Sequence, residues 1–168
     1  QVHVAQIEST ASASVTALNR VVQLVQTHRG MSAGALNGNA DLAARRPGMR
    51  DEVVKAIAVL DQALVAADAT ANLQDPWAKL KAQWEQLEEG VAGKKLTSAE
   101  STQQHTQWVA AILLLNEDVL SDYGFSLDPD ADTYFLIQAS LVAMPRLAEN
   151  LGIMRAQGTG LLAQGSLP

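Results

Sequence analysis

The 168-residue chain contains no cysteine, so it holds no disulfide, no iron–sulfur cluster and no thiolate-bound zinc. It is poor in aromatics, at 4% of residues, while its apolar fraction of 48% is made up largely of Ala, Leu and Val. That balance favours helix packed on helix over a β-sandwich, whose strands draw on aromatic and β-branched side chains. No run approaches the roughly 20 apolar residues of a membrane span, and no secretory signal is visible. Basic residues are also scarce, 12 against 18 acidic ones, for a net charge of −6. A surface of that sign is unsuited to phosphate backbones or anionic headgroups, whose binding is driven by cations. The expectation is therefore no nucleic-acid partner. The chain starts at Gln1 and not at Met, close to amphipathic pattern, and it reads as a piece of a longer protein.

What is present is helical periodicity. Ile7, Ala11, Ser14, Leu18, Val21, Val25, His28, Ser32 and Ala35 recur at alternating steps of four and three, a heptad seam. The seam predicts a first helix over 2–44, ended by Arg45-Arg46-Pro47-Gly48, because cations suit a helix C-terminus and Pro47 disfavours helical geometry at Arg46. A second seam runs through Val53, Ile57, Leu60, Leu64, Ala67 and Ala71, then continues in another register through Trp77, Leu80, Trp84, Leu87 and Val91. The register changes at Asp75-Pro76, where Asp75 can cap and Pro76 can sit in a first turn, so the second helix is expected to be broken or kinked there. A third helix starts near Ser98, although the spacing from Ser98 to Glu100 does not match a strict capping box. Ser101, His105, Trp108, Ile112, Leu115 and Val119 form its seam. The fourth carries Tyr134, Ile137, Leu141, Met144, Ala148 and Leu151, with Pro145 inside to remove one backbone bond and bend it. The expected fold is all-α: one domain over 1–168, an antiparallel up-down-up-down four-helix bundle with both termini at one end.

Motifs for catalysis and metal binding are missing. Asp128, Asp130 and Asp132 spell D-x-D-x-D, but a calcium loop needs Gly at its sixth position and Glu at its twelfth, which are Thr133 and Ala139 here. These aspartates are better read as caps of the fourth helix. The three histidines, His3, His28 and His105, form neither H-x-x-x-H nor E-x-x-H. No nucleophile stands with a base in a recognisable frame, and no glycine-rich phosphate loop follows a strand. The expectation is no enzyme, no metal and no cofactor. A haem or metal bundle built on His28 and His105 is the alternative from a different class, and a ligand-free dimerisation module is a third.

The stretch HRGMSAGALNG sets His28, Arg29 and Ser32 along an otherwise apolar seam, with Gly30, Gly34 and Gly38 at helical spacing. Counting residues back from each expected turn puts Arg29 level with about Ala63 and about Arg146, and Trp108 level with about Arg146. The predicted layer holds His28, Arg29, Ser32, Trp108 and Arg146, with His105 a turn away. Two guanidiniums facing one gap repel unless an anion lies between them, and Arg is shaped to grip a carboxylate with two hydrogen bonds. Trp108 would cover the organic part of such a ligand, and Ser32 would add a neutral hydrogen bond. Gly30 and Gly34 would let a ligand or a neighbouring helix approach the backbone. The competing reading is that Arg29 borders the seam and pairs with Asp61 or Glu149.

HRGMSAGALNG and LDPDADTYFLIQASLVAMPRLAENLGIMRAQGTGLLA together resemble the periplasmic sensor domain of bacterial transmembrane receptors. The nearest class is the helical bundle of methyl-accepting chemotaxis proteins, with similar domains ahead of diguanylate cyclases and histidine kinases. The likeness covers the first and fourth predicted helices. It implies a periplasmic domain of an inner-membrane protein, flanked by two membrane helices and working as a homodimer. It also implies a small ligand that biases helix packing and sends a signal across the membrane.

Overall fold

The structure, a computed structural model, describes the backbone of residues 2–66, 71–122 and 138–164, and the side chains of 13–66, 72–121 and 139–154. Five long helices account for nearly all of it: α1 (Val2–Leu36), α2 (Ala40–Ala66), α3 (Ala71–Ala92), α4 (Ser98–Asp122) and α5 (Met144–Gln164). A π-helical stretch, Gln138–Ala143, leads directly into α5. The all-α helical bundle read from the sequence stands, and α1 to α4 form it. The residues 123–137, which include Asp128, Asp130, Asp132 and Tyr134, lie outside those described.

The first turn falls earlier than expected. Gly38 adopts φ 90°, a left-handed conformation suited to glycine. Its amide donates to the Ala35 carbonyl at 3.1 Å, and that of Asn39 donates to Gly34 at 3.0 Å, the paired bonds of a Schellman C-cap. Asn39 Oδ1 then accepts the Leu42 amide at 3.0 Å and caps α2. With Gly38-Asn39 making the turn, Arg45, Arg46 and Pro47 lie inside α2 instead of ending α1. Gly34 is where the two helices close: a Cβ built there would meet Leu42 Cδ1 at 2.2 Å.

The second segment is broken, the first of the two forms expected of it, into two antiparallel helices, though not at Asp75-Pro76. Asp61 on α2 accepts hydrogen bonds from Trp77 Nε1 at 2.6 Å and Lys81 Nζ at 2.8 Å on α3. A continuous helix would hold residues 61 and 77 about 24 Å apart, so α3 folds back along α2. Helix α2 is described to Ala66 and α3 from Ala71, residues 67–70 lie outside those described, and α3 runs unbroken through Asp75 and Pro76. Helix α4 starts as expected, but its cap sits one residue earlier. Thr97 Oγ1 accepts the Glu100 amide at 3.2 Å while Glu100 Oε2 accepts the Thr97 amide at 2.8 Å, a complete capping box.

The core is the seam of these four helices. Leu18, Val21 and Val25 of α1 meet Val53 and Leu60 of α2, Trp77 and Trp84 of α3, and Ile112 and Val119 of α4, all nearly inaccessible to solvent. Deleting one such side chain to Ala costs about 2–5 kcal/mol, so this seam sets the stability of the bundle. The Trp77-Leu80-Trp84-Leu87 stripe is part of it.

Helix α5 lies outside, against α1 and α4. Pro145 has no amide to offer the carbonyl of Leu141, four residues back. Asn116 of α4, 1% exposed, fills the gap: its Nδ2 donates to Leu141 O at 2.7 Å. The π-helical stretch ends just before this proline, a common accommodation of a broken i→i−4 ladder. Contacts of α5 with Glu117 on α4 and Arg29 on α1 set its direction parallel to α1. The hairpin of α2 and α3 adds a reversal to the chain, so α1 and α5 do not start and finish at one end as a four-pass bundle requires. No described helix is long and apolar enough to cross a membrane.

Candidate functional site

One layer of the bundle, near the turn from α1 to α2, is polar. Each of the four helices sends one side chain into it: His28 from α1, Arg46 from α2, Glu88 from α3 and His105 from α4. His28 and His105 are fully buried. Their facing nitrogens, Nδ1 of His28 and Nε2 of His105, are 2.9 Å apart. The direction of that bond follows from its neighbours. His105 Nδ1 lies 2.6 Å from the Ser101 carbonyl, which only accepts, so Nδ1 carries the proton. In neutral His105 the Nε2 is then an acceptor, and His28 Nδ1 donates to it. Burial is the main reason that the pKa of His105 drops from 6.5 to about 4, with the positive charge of the neighbouring layer adding to it. His105 is therefore neutral at physiological pH.

On its other side His28 meets a charged pair. Arg46 Nη1 donates to Glu88 Oε2 at 2.6 Å and to His28 Nε2 at 3.2 Å, and His28 Nε2 stands 3.2 Å from the same Glu88 oxygen. Burial alone would raise the pKa of Glu88, but the closeness of His28 and the hydrogen bond and charge of Arg46 outweigh it and hold the group below its ordinary value. Trp84 closes the layer edge-on to His28, with centroids 5.0 Å apart. Ser32 is buried beside them, its Oγ 3.3 Å from His28 Nδ1.

Arg29 points the other way, between α1, α4 and α5. It is 5% exposed and is the one buried cation among the described residues. Glu149 of α5, also 5% exposed, takes both arms of its guanidinium: Nη1 to Oε1 at 2.5 Å and Nη2 to Oε2 at 3.3 Å. Nη1 also donates to Thr106 Oγ1 at 2.9 Å, and Gln26 Nε2 donates to Glu149 Oε2 at 2.8 Å. Nη2 runs beside Gly152, where even a Cβ would come within 3.5 Å of it. The geometry is a dry clasp for a planar group that presents two oxygens, the task for which a guanidinium is shaped.

The layer predicted from the sequence is thus only partly assembled. His28, Arg29 and Ser32 come together with His105. Arg146 does not face Arg29: it pairs with Glu117 on the outer side of α4 and α5, with half its side chain exposed. Trp108 lies deeper in the core and donates to the Leu80 carbonyl at 2.8 Å, so Trp84 takes the place beside the histidines. Gly34 serves the α1–α2 contact, and a Cβ on Gly30 would meet nothing within 4 Å. Arg46, Glu88 and Thr106 were not expected here. With the turn at Gly38, counting puts residue 46 level with 30, and Glu88 follows Trp84 by one helical turn on the same face. Among the described residues no group of three or more His, Asp or Glu is arranged to hold a metal ion.

Comparison with known proteins finds one family. Its sequence model, described as nitrate and nitrite sensing, matches residues 20–168. No curated protein and no solved structure matches.

Proposed function

Because this chain belongs to the nitrate and nitrite sensing family, periplasmic helical sensor domains of bacterial signalling receptors, we propose that it binds nitrate or nitrite through Arg29. The observation that carries this reading is the clasp itself. The one buried arginine of the described chain holds a planar, two-oxygen anion in a site closed to water. Nitrate and nitrite present the same flat pair of oxygens as a carboxylate, so the fork that fits Glu149 fits them. Such a domain performs no chemistry on its ligand; it converts occupancy into a change of helix packing.

The parent protein is read as a membrane-anchored homodimer with this domain on the outer side of the inner membrane. Met144, Leu147, Leu151 and Met154 support the dimer. They are 60%, 52%, 56% and 65% exposed and recur at steps of three, four and three along α5, the spacing of a coiled-coil seam. A second copy of the same helix is the partner that such a stripe fits.

The test is a melting curve of this chain with sodium nitrate and sodium nitrite, against sodium chloride and sodium formate. A ligand at a hundred times its dissociation constant adds about 2.7 kcal/mol, or roughly 5–10 °C for a domain of this size. Arg29→Lys keeps the charge and loses the fork, and is expected to weaken the anion at least tenfold while the helices remain. No shift with either anion sinks the reading, and an undiminished shift in Arg29→Lys moves the site elsewhere.

A further inference from the structure

The Nη1–Nη2 edge of Arg29 is already taken. Both arms of the guanidinium go to Glu149, and Thr106 takes a further bond from Nη1. A nitrate held across the same two nitrogens, Nη1 and Nη2, must take the place of the Glu149 carboxylate. We propose that Glu149 is a built-in competitor for the anion: nitrate or nitrite binds Arg29 by displacing the Glu149 carboxylate, and that displacement unlatches α5 from α1. The inference rests on the reading of Arg29 as the anion site.

Three observations support it. Carboxylate and nitrite are both bent, planar, singly charged pairs of oxygens, so one replaces the other on Arg29 without changing the charge of the clasp. Glu149 is also the only buried side chain described on α5; its neighbours Arg146, Leu147, Ala148, Asn150 and Leu151 are exposed. The grip of α1 on α5 at this level is therefore the ion pair, with the Gln26 bond to the same carboxylate. Finally, Gly152 lies one turn beyond Glu149 and brings only backbone beside Nη2, so no side chain at that position blocks an incoming anion. The ligand's work is thus an exchange of one anion for another, with a helix attached to the one that leaves.

Occupied by its own carboxylate, the site is competent only in the fraction of molecules whose latch is open, and the apparent affinity is reduced by that fraction. The experiment is nitrate titration of wild type and Glu149→Gln by calorimetry, with circular dichroism to verify folding. Spin labels at the exposed positions Thr27 on α1 and Asn150 on α5 follow the separation of the helices. Glu149→Gln is expected to bind nitrate at least tenfold more tightly than wild type. Its label distance without nitrate should match that of wild type with nitrate. Equal or weaker binding in Glu149→Gln beside a wild type that binds overturns the latch and leaves Arg29 as the anion site. Binding by neither overturns the anion site itself, and the latch with it. Should Glu149→Gln not fold, Glu149→Asp keeps the charge on a shorter stem; it is expected to bind more tightly by a smaller factor, and unchanged or weaker binding overturns the latch equally.

Discussion

Acidification should weaken this bundle in a window set by His105. The group is fully buried, with both ring nitrogens engaged: Nδ1 donates to Ser101 O and Nε2 accepts from His28. A second proton on Nε2 has nowhere to go unless His28 gives up its own Nδ1 proton. Arg29 opposes the new charge as well, while the bond to the Ser101 carbonyl and the charge of Glu88 favour it without offsetting burial. Burial is the dominant cause of the fall in pKa from 6.5 to about 4. The folded-state value lies below the unfolded one, so between these two pH values the unfolded chain holds a proton that the folded chain does not. Stability then falls with falling pH, by up to about 1.4 kcal/mol per unit. From pH 7 to pH 5 the loss from this one residue is about 2 kcal/mol. Glu88 works at lower pH. Its depressed pKa gives stability that is present above the ordinary carboxylate value and lost as pH falls through the folded value, so it steepens the curve only in stronger acid. The assay is urea unfolding by circular dichroism at half-unit steps from pH 7.5 to 4.5, on wild type and His105→Gln. Gln can still donate to Ser101 O and accept from His28, but it does not titrate. The variant should lose most of the slope between pH 6.5 and 5. An unchanged slope in His105→Gln would refute the assignment of the proton-linked loss to this residue.

Two other perturbations test how the site is framed. Asn116→Ala strips the Leu141 carbonyl of its side-chain donor, and leaving this half-buried acceptor unpaired costs about 1–3 kcal/mol in urea unfolding. Pro145→Ala in that background supplies the missing helical amide and should restore much of the loss, an interaction that a double-mutant cycle reads directly. Gly30 is exposed, lies within α1, has no left-handed backbone, and a Cβ there meets nothing within 4 Å. Gly30→Ala should therefore raise stability by about 0.5–1 kcal/mol, seen as a higher melting temperature. A fall instead would mean that the backbone at Gly30 is approached by something other than this chain.

The places where the sequence reading and the structure part company have a common physical origin. Apolar spacing reports which face of a helix is buried, and on that point His28, Ser32, His105 and the Trp77-Leu80-Trp84-Leu87 stripe all lie where their seams put them. It says little about where a helix stops, because a proline is tolerated wherever the carbonyl it orphans finds another donor. Pro47 and Pro76 both sit inside helices, and Pro145 is accommodated by Asn116, a partner 29 residues away in the chain. The true stop of α1, Gly38-Asn39, is weaker in composition but stronger in chemistry. It supplies a left-handed residue, two carbonyl-closing bonds and a cap for the next helix within two positions. Misplacing that turn by eight residues shifts every level counted from it, which is why Ala63 was matched to Arg29 and Arg46 was not. The direction of a charged side chain is harder still. Arg29 and Arg146 both border seams, yet one is buried on Glu149 and the other half exposed on Glu117. Glu149 stands on the buried side of α5 among exposed neighbours, and a carboxylate there looks like surface until its partner is known. The same ambiguity suits it to the role proposed for it. A carboxylate that solvates readily can leave a buried arginine when an anion of its own shape arrives, as a leucine at that position could not.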